Sequence, residues 1–282
     1  MRRLSFIVVL VAASCSGDYG RGGRGGAQHV TVRGSDTLVV LMQRWAERWA
    51  ANQRSTAIEV SGGGTGTGIS ALVNGTTDVA SASRAMTAKE RADVEASGAS
   101  VVETTVAIDA VAIYVNPANP VSTISLADLD RIFRGRVHRW SEVGGGDASI
   151  VAYSRENSSG TYLFFKEHVL AKHDFAAEVQ SLPGTAAVVQ AVIHDRNAIG
   201  YGGIAASTGV KLLAVSGASG APVAPSLATA SDRSYPLARP LFVYHRSDAS
   251  AEARAFVSWL RSEEAQALAE SAGFYPVPKE KP

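Results

Sequence analysis

Three short segments rich in glycine and hydroxyl side chains recur along this chain, each between an apolar stretch and an amphipathic one. They are Gly34-Ser35-Asp36-Thr37, Gly62 to Gly68 and Ser158-Ser159-Gly160-Thr161. The apolar stretches are typical of β-strands, and the amphipathic stretches are typical of α-helices. Because a helix start carries unpaired N–H groups and a partial positive charge, it attracts anions. The pattern therefore predicts an oxyanion held by many neutral donors.

Length and charge limit the function classes that are open to the chain. Its 282 residues suffice for one large domain or two medium ones. The formal net charge is +1 and only 19% of the residues are charged, whereas nucleic-acid binding needs clustered lysine and arginine. We therefore expect no nucleic-acid partner, and an anion must be caught by local geometry rather than by a global positive field.

The first 14 residues resemble a lipoprotein-type signal peptide. Arg2 and Arg3 form a basic start, residues 4–13 are mostly apolar, and small residues precede Cys15, which is the only cysteine. We expect Cys15 to be lipidated and the protein to be exported to the periplasm or the outer cell surface, anchored to a membrane. The alternative is a plain signal peptide with an incidental cysteine. Residues 15–28 are rich in glycine and arginine, which predicts a flexible tether.

From about His29 onward, predicted strands and helices alternate, which favours an α/β fold with mainly parallel sheets. The helix after the first cluster is predicted to begin at Ser35 or Asp36 and to bury Trp45 and Trp49 in the core. Near the C-terminus, the apolar spacing predicts one long helix that Gly273 stops.

The glycine-rich second cluster has two familiar enzymatic counterparts, and it matches neither. A nucleotide-hydrolase phosphate loop needs a lysine, and this turn has none. A dinucleotide fingerprint needs Gly-x-Gly-x-x-Gly, whereas Gly64, Gly66 and Gly68 give Gly-x-Gly-x-Gly. An anion-binding loop and a merely tight strand-to-helix turn both remain open for this segment.

The third cluster adds a permanent positive charge to the same pattern. Arg155 precedes Ser159 by four residues, so its guanidinium can grip an oxyanion while the hydroxyls of Ser159 and Thr161 donate to it. Gly160 carries no side chain that would shield the N–H groups behind it. The alternative is an N-capped helix with a surface arginine.

The sequence gives little support for catalysis. It contains no outstanding Gly-x-Ser-x-Gly elbow and no His-Glu-x-x-His motif, and its six histidines are scattered. We therefore expect no enzymatic activity, no metal and no cofactor.

Seven motifs, taken in order, resemble those of the phosphate-binding proteins of bacterial high-affinity phosphate ABC transporters. The likeness covers nearly all of residues 29–278. The motifs are Gly34–Leu38, Gly63–Ile69, Asp78–Arg84, Ile132–Gly135 with Trp140, Arg155 with Ser158–Thr161 and Phe165, Ile199–Tyr201, and Tyr235–Leu241.

The resemblance implies a periplasmic binding protein type II-like fold, with two α/β lobes of mixed sheets, two hinge crossovers and a ligand cleft between the lobes. We expect the crossovers near residue 107 and residues 230–241. Lobe 1 would then comprise residues 30–106 and 241–282, and lobe 2 residues 107–240. The resemblance also implies a monomer that captures inorganic phosphate by lobe closure and delivers it to the membrane permease of an ABC transporter.

The resemblance carries the following phosphate ligands over to this sequence. Lobe 1 would supply Ser35, Asp36, Thr37, Thr65, Ser83 and Arg84, and lobe 2 would supply Arg155, Ser159, Gly160 and Thr161.

Two of these residues depart from the family pattern. Thr65 stands where serine is commoner, and Arg84 stands where some members carry an aspartate that accepts the phosphate proton. Asp36 is the only carboxylate inside the three clusters, so it is the candidate acceptor here. It could equally cap a helix or pair with Arg84. The functional alternatives are a binding protein for sulfate or molybdate, a sensory phosphate-binding module and, least expected, a secreted phosphatase.

Overall fold

A computed structural model describes residues 28–53, 56–217 and 220–277. The predicted signal peptide, Cys15 and the tether up to residue 27 lie outside these residues. Within the described ranges, no helix combines the length and the apolar character that crossing a membrane requires.

The first half of the fold is a parallel sheet of three strands with β1 in its centre. It is built from the N-terminal elements of the chain. These are β1 (Gln28–Gly34), α1 (Val39–Asn52), β2 (Thr56–Ser61), α2 (Thr65–Val73), β3 (Val79–Ala82) and α3 (Ala88–Glu95).

The second half follows a long strand, β4 (Val101–Val115). Its elements are β5 (Thr123–Ser125), α4 (Leu126–Phe133), β6 (Val151–Arg155), α5 (Gly160–His168), β7 (Gln180–Leu182), α6 (Gly184–His194), β8 (Ala198–Gly203), β9 (Lys211–Ser216) and α7 (Leu227–Ser231). β6 is parallel to β7 and β8, whereas β8 and β9 are antiparallel to β4.

Two antiparallel strands connect the halves. β10 (Ala238–Arg246) returns along β4 and also pairs with β3. Because the chain leaves the first half through β4 and comes back through β10, these strands must run in opposite directions. The α/β fold with mixed sheets is therefore confirmed. The expectation of mainly parallel sheets, based on alternation alone, holds for the pairings that do not involve β4 or β10, whereas every pairing of these two strands is antiparallel.

Each half has its own hydrophobic core. In the first half, Trp45 and Trp49 of α1 are buried as predicted, and the indole N–H of Trp45 donates to the Ala265 carbonyl at 2.7 Å. In the second half, the rings of Phe165 and Tyr201 stack with centroids 4.0 Å apart. Fixed cores on both sides give the segments between them a rigid support.

Two helix predictions need correction. The first helix begins at Val39, because residues 36–38 form a turn before it. The long C-terminal helix is two helices, α8 (Ala251–Trp259) and α9 (Glu263–Ser271), separated by a turn. Ser262 creates the second start, since its hydroxyl accepts from the N–H of Ala265 at 3.2 Å. Gly273, with φ of 83°, follows α9 as predicted.

Candidate functional site

The first cluster is held at the end of β1 by the neighbouring strand β3. The N–H of Ser35 donates to the carbonyl and the hydroxyl of Ser81 at 2.9 and 3.0 Å. Gly34 has φ of 141°, and a Cβ there would lie 2.2 Å from the Ser81 carbonyl oxygen. The hydroxyl of Ser35 is buried and finds no hydrogen-bond partner among the residues that the structure covers. It is therefore available for a ligand.

The second cluster turns into α2 beside the first. Gly64 has φ of 91°, and its N–H donates to the Gly34 carbonyl at 2.9 Å. Thr65, the first residue of α2, accepts from the N–H of Ser83 at 3.0 Å, and the hydroxyls of Thr65 and Ser83 lie 3.3 Å apart. These contacts bring two predicted ligand hydroxyls into one buried pair.

The third cluster meets the first two from the opposite half. A Cβ on Gly160 would lie 2.4 Å from Thr65 Oγ1 and 2.6 Å from Ser83 Oγ, so only glycine fits there without a shift of its neighbours. The hydroxyls of Thr37 and Thr161 are 3.1 Å apart. The three segments thus face one another across a cleft between the halves.

At the rim of this cleft, a backbone hydrogen bond joins the second segment to the third. The N–H of Gly66 donates to the carbonyl of Ser158 at 2.9 Å. At the neighbouring position, a Cβ on Gly64 would come within 2.7 Å of the same carbonyl oxygen. Ser159 caps α5, and its hydroxyl accepts from the N–H groups of Thr161 and Tyr162 at 3.2 Å each.

Arg155 ends β6 inside the cleft and is only 1% exposed. Its Nη2 donates to Asp36 Oδ2 at 2.9 Å and to Glu156 Oε1 at 2.9 Å, and its Nη1 donates to the hydroxyl of Thr185 at 2.7 Å. Burial opposes ionisation of Glu156, but the hydrogen bond and charge of Arg155 outweigh it, so the pKa of Glu156 lies below its usual value. Two carboxylates therefore face one guanidinium.

Asp36 joins the two halves of the fold through its ion pair with Arg155. Its second oxygen, Oδ1, accepts from the N–H of Gly63 at 2.9 Å. Two of the alternatives for Asp36 are therefore wrong, because it neither caps α1 nor pairs with Arg84. Its carboxylate, 18% exposed, stands among the hydroxyls and amides of the cleft.

Arg84 is engaged elsewhere. Its terminal nitrogens donate to the Glu90 carboxylate at 2.8 and 2.6 Å and to the Ala85 carbonyl at 2.8 Å, while its buried Nε has no hydrogen-bond partner within residues 28–53, 56–217 and 220–277. Glu90 belongs to the capping box at the start of α3, where Thr87 accepts from its N–H. Within the described part of the chain, Arg84 makes no hydrogen bond to another predicted ligand, so direct contact with an anion stays a prediction.

A buried guanidinium that the sequence analysis did not place in the site lies at its centre. Arg239 of β10 is opposite Asp109 of β4, and its Nε and Nη2 donate to Asp109 Oδ2 at 3.1 and 2.8 Å. Nη2 also donates to the hydroxyls of Thr161 and Thr37, at 3.0 and 3.4 Å. Nη1 donates to the carbonyl of Ser83 at 2.9 Å.

The ion pair of Arg239 and Asp109 is withdrawn from solvent. The two side chains are 1% and 0% exposed, and burial raises the pKa of the Asp109 carboxyl against the opposing charge of Arg239. The signal that could have found this pair is a carboxylate inside the otherwise apolar segment of β4, since a buried charge needs a partner.

Two cavities adjoin the cleft in which the three segments meet. One, of about 610 Å³, is lined by Arg84, Phe164 and Arg239 among others. The other, of about 650 Å³, is lined by Asp36, Thr37 and Thr185 among others. Over the described ranges, no group of three or more histidine, cysteine, aspartate or glutamate side chains is arranged to hold a metal ion.

Comparison with known proteins shows the family to which this chain belongs. The profile of the PBP superfamily domain matches residues 20–264. The phosphate-binding protein PstS of Pseudomonas aeruginosa is 36% identical over 226 residues, which cover 75% of this chain and 70% of the relative. PstS of Staphylococcus epidermidis is 30% identical, covering 96% and 86% of the two chains.

A solved structure agrees with these relatives. It is a Clostridium perfringens protein described as a phosphate ABC transporter substrate-binding protein with bound phosphate. It superposes with a TM-score of 0.82 at 27% identity and covers 89% of this chain and 100% of its own.

Proposed function

Since this chain belongs to the phosphate-binding protein PstS family of the PBP superfamily, we propose that it is an exported solute-binding protein that captures inorganic phosphate and delivers it to the membrane permease of an ABC transporter. The observation that carries this proposal is the convergence of the three hydroxyl-and-amide segments from both halves of the fold, where Asp36 of the first segment also pairs with Arg155. As ligands we propose the predicted set, Ser35, Asp36, Thr37, Thr65, Ser83, Arg155, Ser159, Gly160 and Thr161, with Arg84 left to the test below.

The chemistry of the cleft suits a small oxyanion. The unpartnered hydroxyl of Ser35 and the paired hydroxyls of Thr65 and Ser83 can turn their protons toward a ligand. Neutral donors in a buried site stabilise an anion without adding formal charge, and Arg155 adds a charge-assisted bond.

The charge balance favours an anion that carries a proton. Three carboxylates, those of Asp36, Asp109 and Glu156, accompany the two buried guanidiniums of Arg155 and Arg239. A fully deprotonated dianion such as sulfate would meet the excess of acceptors with no donor of its own. Monohydrogen phosphate can donate its proton, and we propose Asp36 as the acceptor because it is the carboxylate inside the clusters.

Binding by lobe closure follows from where the donors come from. Ser35, Thr37 and Thr65 belong to the first half, whereas Arg155 and Thr161 belong to the second. Only the approach of the halves assembles both sets around one anion. β4 and β10 are the proposed crossovers, with lobe 1 as residues 30–106 and 241–282 and lobe 2 as residues 107–240.

The functional groups of the cleft point to binding rather than turnover. They are hydroxyls, amides, carboxylates and guanidiniums whose hydrogen bonds hold one another in place. We propose that the protein does not hydrolyse phosphate esters, and release of a chromogenic alcohol from para-nitrophenyl phosphate at a catalytic rate would contradict this.

Calorimetric titration with phosphate, sulfate, arsenate and molybdate over a pH series tests the proposed ligand. We expect phosphate to bind with one-to-one stoichiometry and sulfate to bind about a thousandfold more weakly. Sulfate or molybdate binding more tightly than phosphate would replace the ligand, and binding of phosphate without transport in a strain that lacks its own binding protein would favour the sensory alternative.

We also propose that Cys15 is lipidated and holds a monomer at the membrane. The test compares the native chain with Cys15→Ser in cell fractions. The native protein should be found in the membrane fraction and the variant in the soluble exported fraction. A native protein already released in soluble form would indicate a plain signal peptide, and gel filtration with light scattering checks the monomer.

A further inference from the structure

We infer that Arg239 is a positioning residue that turns the hydroxyls of Thr37 and Thr161 into donors aimed at the bound anion. The inference rests on the proposed function, and it assigns the role to a side chain in a crossover strand rather than in any of the three clusters. Arg239 is 2% exposed and touches both halves of the fold through one guanidinium.

The first step concerns which of its donors remain for an anion. Nε and one of the two protons on Nη2 are committed to Asp109, and Nη1 donates to the carbonyl of Ser83. Phe164 packs against the guanidinium with its ring centroid 5.3 Å from Cζ. These contacts fix the orientation of Arg239, and they neutralise its charge within the crossover strands.

The second step concerns the hydroxyls that the guanidinium reaches. Nη2 donates to Thr161 Oγ1 at 3.0 Å and to Thr37 Oγ1 at 3.4 Å. A hydroxyl has a single proton but more than one acceptor site, whereas arginine has no acceptor at all. One of the two Nη2 protons is held by Asp109, so the two threonine hydroxyls share the other. Each hydroxyl accepts from that N–H and turns its own proton away from the guanidinium.

The third step concerns where those protons go. The two hydroxyl oxygens lie 3.1 Å apart, so one proton can bridge them while the cleft holds no anion. An oxyanion beside them offers better acceptors, and both hydroxyls can then donate to it. Because Thr37 comes from the first half and Thr161 from the second, Arg239 aligns one donor of each half, which lowers the cost of ordering them when the anion binds.

A double-mutant cycle on phosphate affinity tests this role. Arg239→Lys keeps the charge but loses the planar guanidinium with its several N–H donors. Thr37→Val with Thr161→Val removes both hydroxyls at nearly constant shape. We expect Arg239→Lys to weaken phosphate binding about tenfold in the native background and to have little further effect when both threonines are valine. Arg246→Lys is the control, because Arg246 ends the same strand and pairs with Asp248 at the surface.

Equal losses in both backgrounds would overturn the inference, since Arg239 would then support only the fold. If Arg239→Lys fails to fold by circular dichroism, Asp109→Asn replaces it in the same cycle, because it releases the anchor of the guanidinium while keeping the side-chain shape. Absence of phosphate binding by the native protein would instead defeat the proposed function, so the two failures are distinguishable.

Discussion

Gly160 and Thr65 touch across the cleft, such that a Cβ at residue 160 would lie 2.4 Å from the hydroxyl oxygen of Thr65. The contact leaves no room for even one methyl group between the two segments. We expect Gly160→Ala to weaken phosphate binding about tenfold to a hundredfold, because overpacking of a fitted contact costs about 1–3 kcal/mol. Calorimetric titration measures the loss.

The folded state itself should tolerate this change. Residue 160 is the first residue of α5, where alanine is a good helix former, so the melting temperature without ligand should stay within a few degrees of the native value. Gly146→Ala is the matched control, because a Cβ there meets nothing within 4 Å. An alanine at 160 that leaves the affinity untouched would mean that phosphate binds without the close contact between residues 160 and 65.

Arg155 and Arg84 are predicted to differ in their effect on binding. Arg155→Ala removes a fully buried cation from Asp36 and Glu156, and we expect it to weaken phosphate binding at least about a hundredfold. Arg84→Ala should weaken it far less, because Glu90 already engages that guanidinium. Titration of both variants, with the exposed Arg139→Ala as control, decides the matter. Equal losses from Arg155 and Arg84 would restore Arg84 as a direct ligand.

Asp36→Asn should reduce the preference for phosphate over sulfate. The carboxylate can accept the proton of monohydrogen phosphate and repels sulfate, whereas an amide can donate to either anion. We expect the ratio of the two dissociation constants to fall by at least about tenfold. Glu156→Gln is the matched control, because it removes charge from the same guanidinium and should change both affinities alike. An unchanged ratio in Asp36→Asn would show that the acceptor lies elsewhere.

The parts of the site that sequence reasoning found are those that local chemistry determines. Glycine and hydroxyl residues before α2 and α5 mark helix starts, and a helix start exposes its N–H groups whatever the rest of the fold does. The capping box of Thr87 and Glu90 is a local feature of the same kind. These signals lie within a few residues of each other, so they can be read without knowing the topology.

The missed parts depend on strand register. Asp109 and Arg239 are 130 residues apart and become neighbours only because β4 and β10 pair directly at these positions. Asp36 and Arg155 are 119 residues apart and meet only where the halves close. A sequence shows that each of these charges needs a partner when buried, but the partner is chosen by the topology.

Glu90 links the start of α3 to Arg84, and this link should make part of the stability depend on acid pH. Burial opposes ionisation of Glu90, but the bonds from Arg84 and Thr87 outweigh it and hold its pKa below the usual value. A carboxyl whose pKa is lowered by folding stabilises the protein above its unfolded pKa, and that contribution is lost as the pH falls through the folded pKa. We therefore expect Glu90→Gln to cost about 1 kcal/mol near neutral pH.

The free energy of unfolding, measured from neutral to acid pH, distinguishes a contribution from the charge of Glu90 from a contribution of its packing. The difference in unfolding free energy between native protein and Glu90→Gln should shrink as the pH falls from the ordinary glutamate pKa through the lowered pKa of Glu90, because the native carboxyl becomes protonated over that range. Glu95→Gln on the same helix is the control, because Glu95 is exposed and should leave stability unchanged. A difference that stays constant from neutral to acid pH would show that the charge of Glu90 contributes nothing and that only its shape stabilises α3.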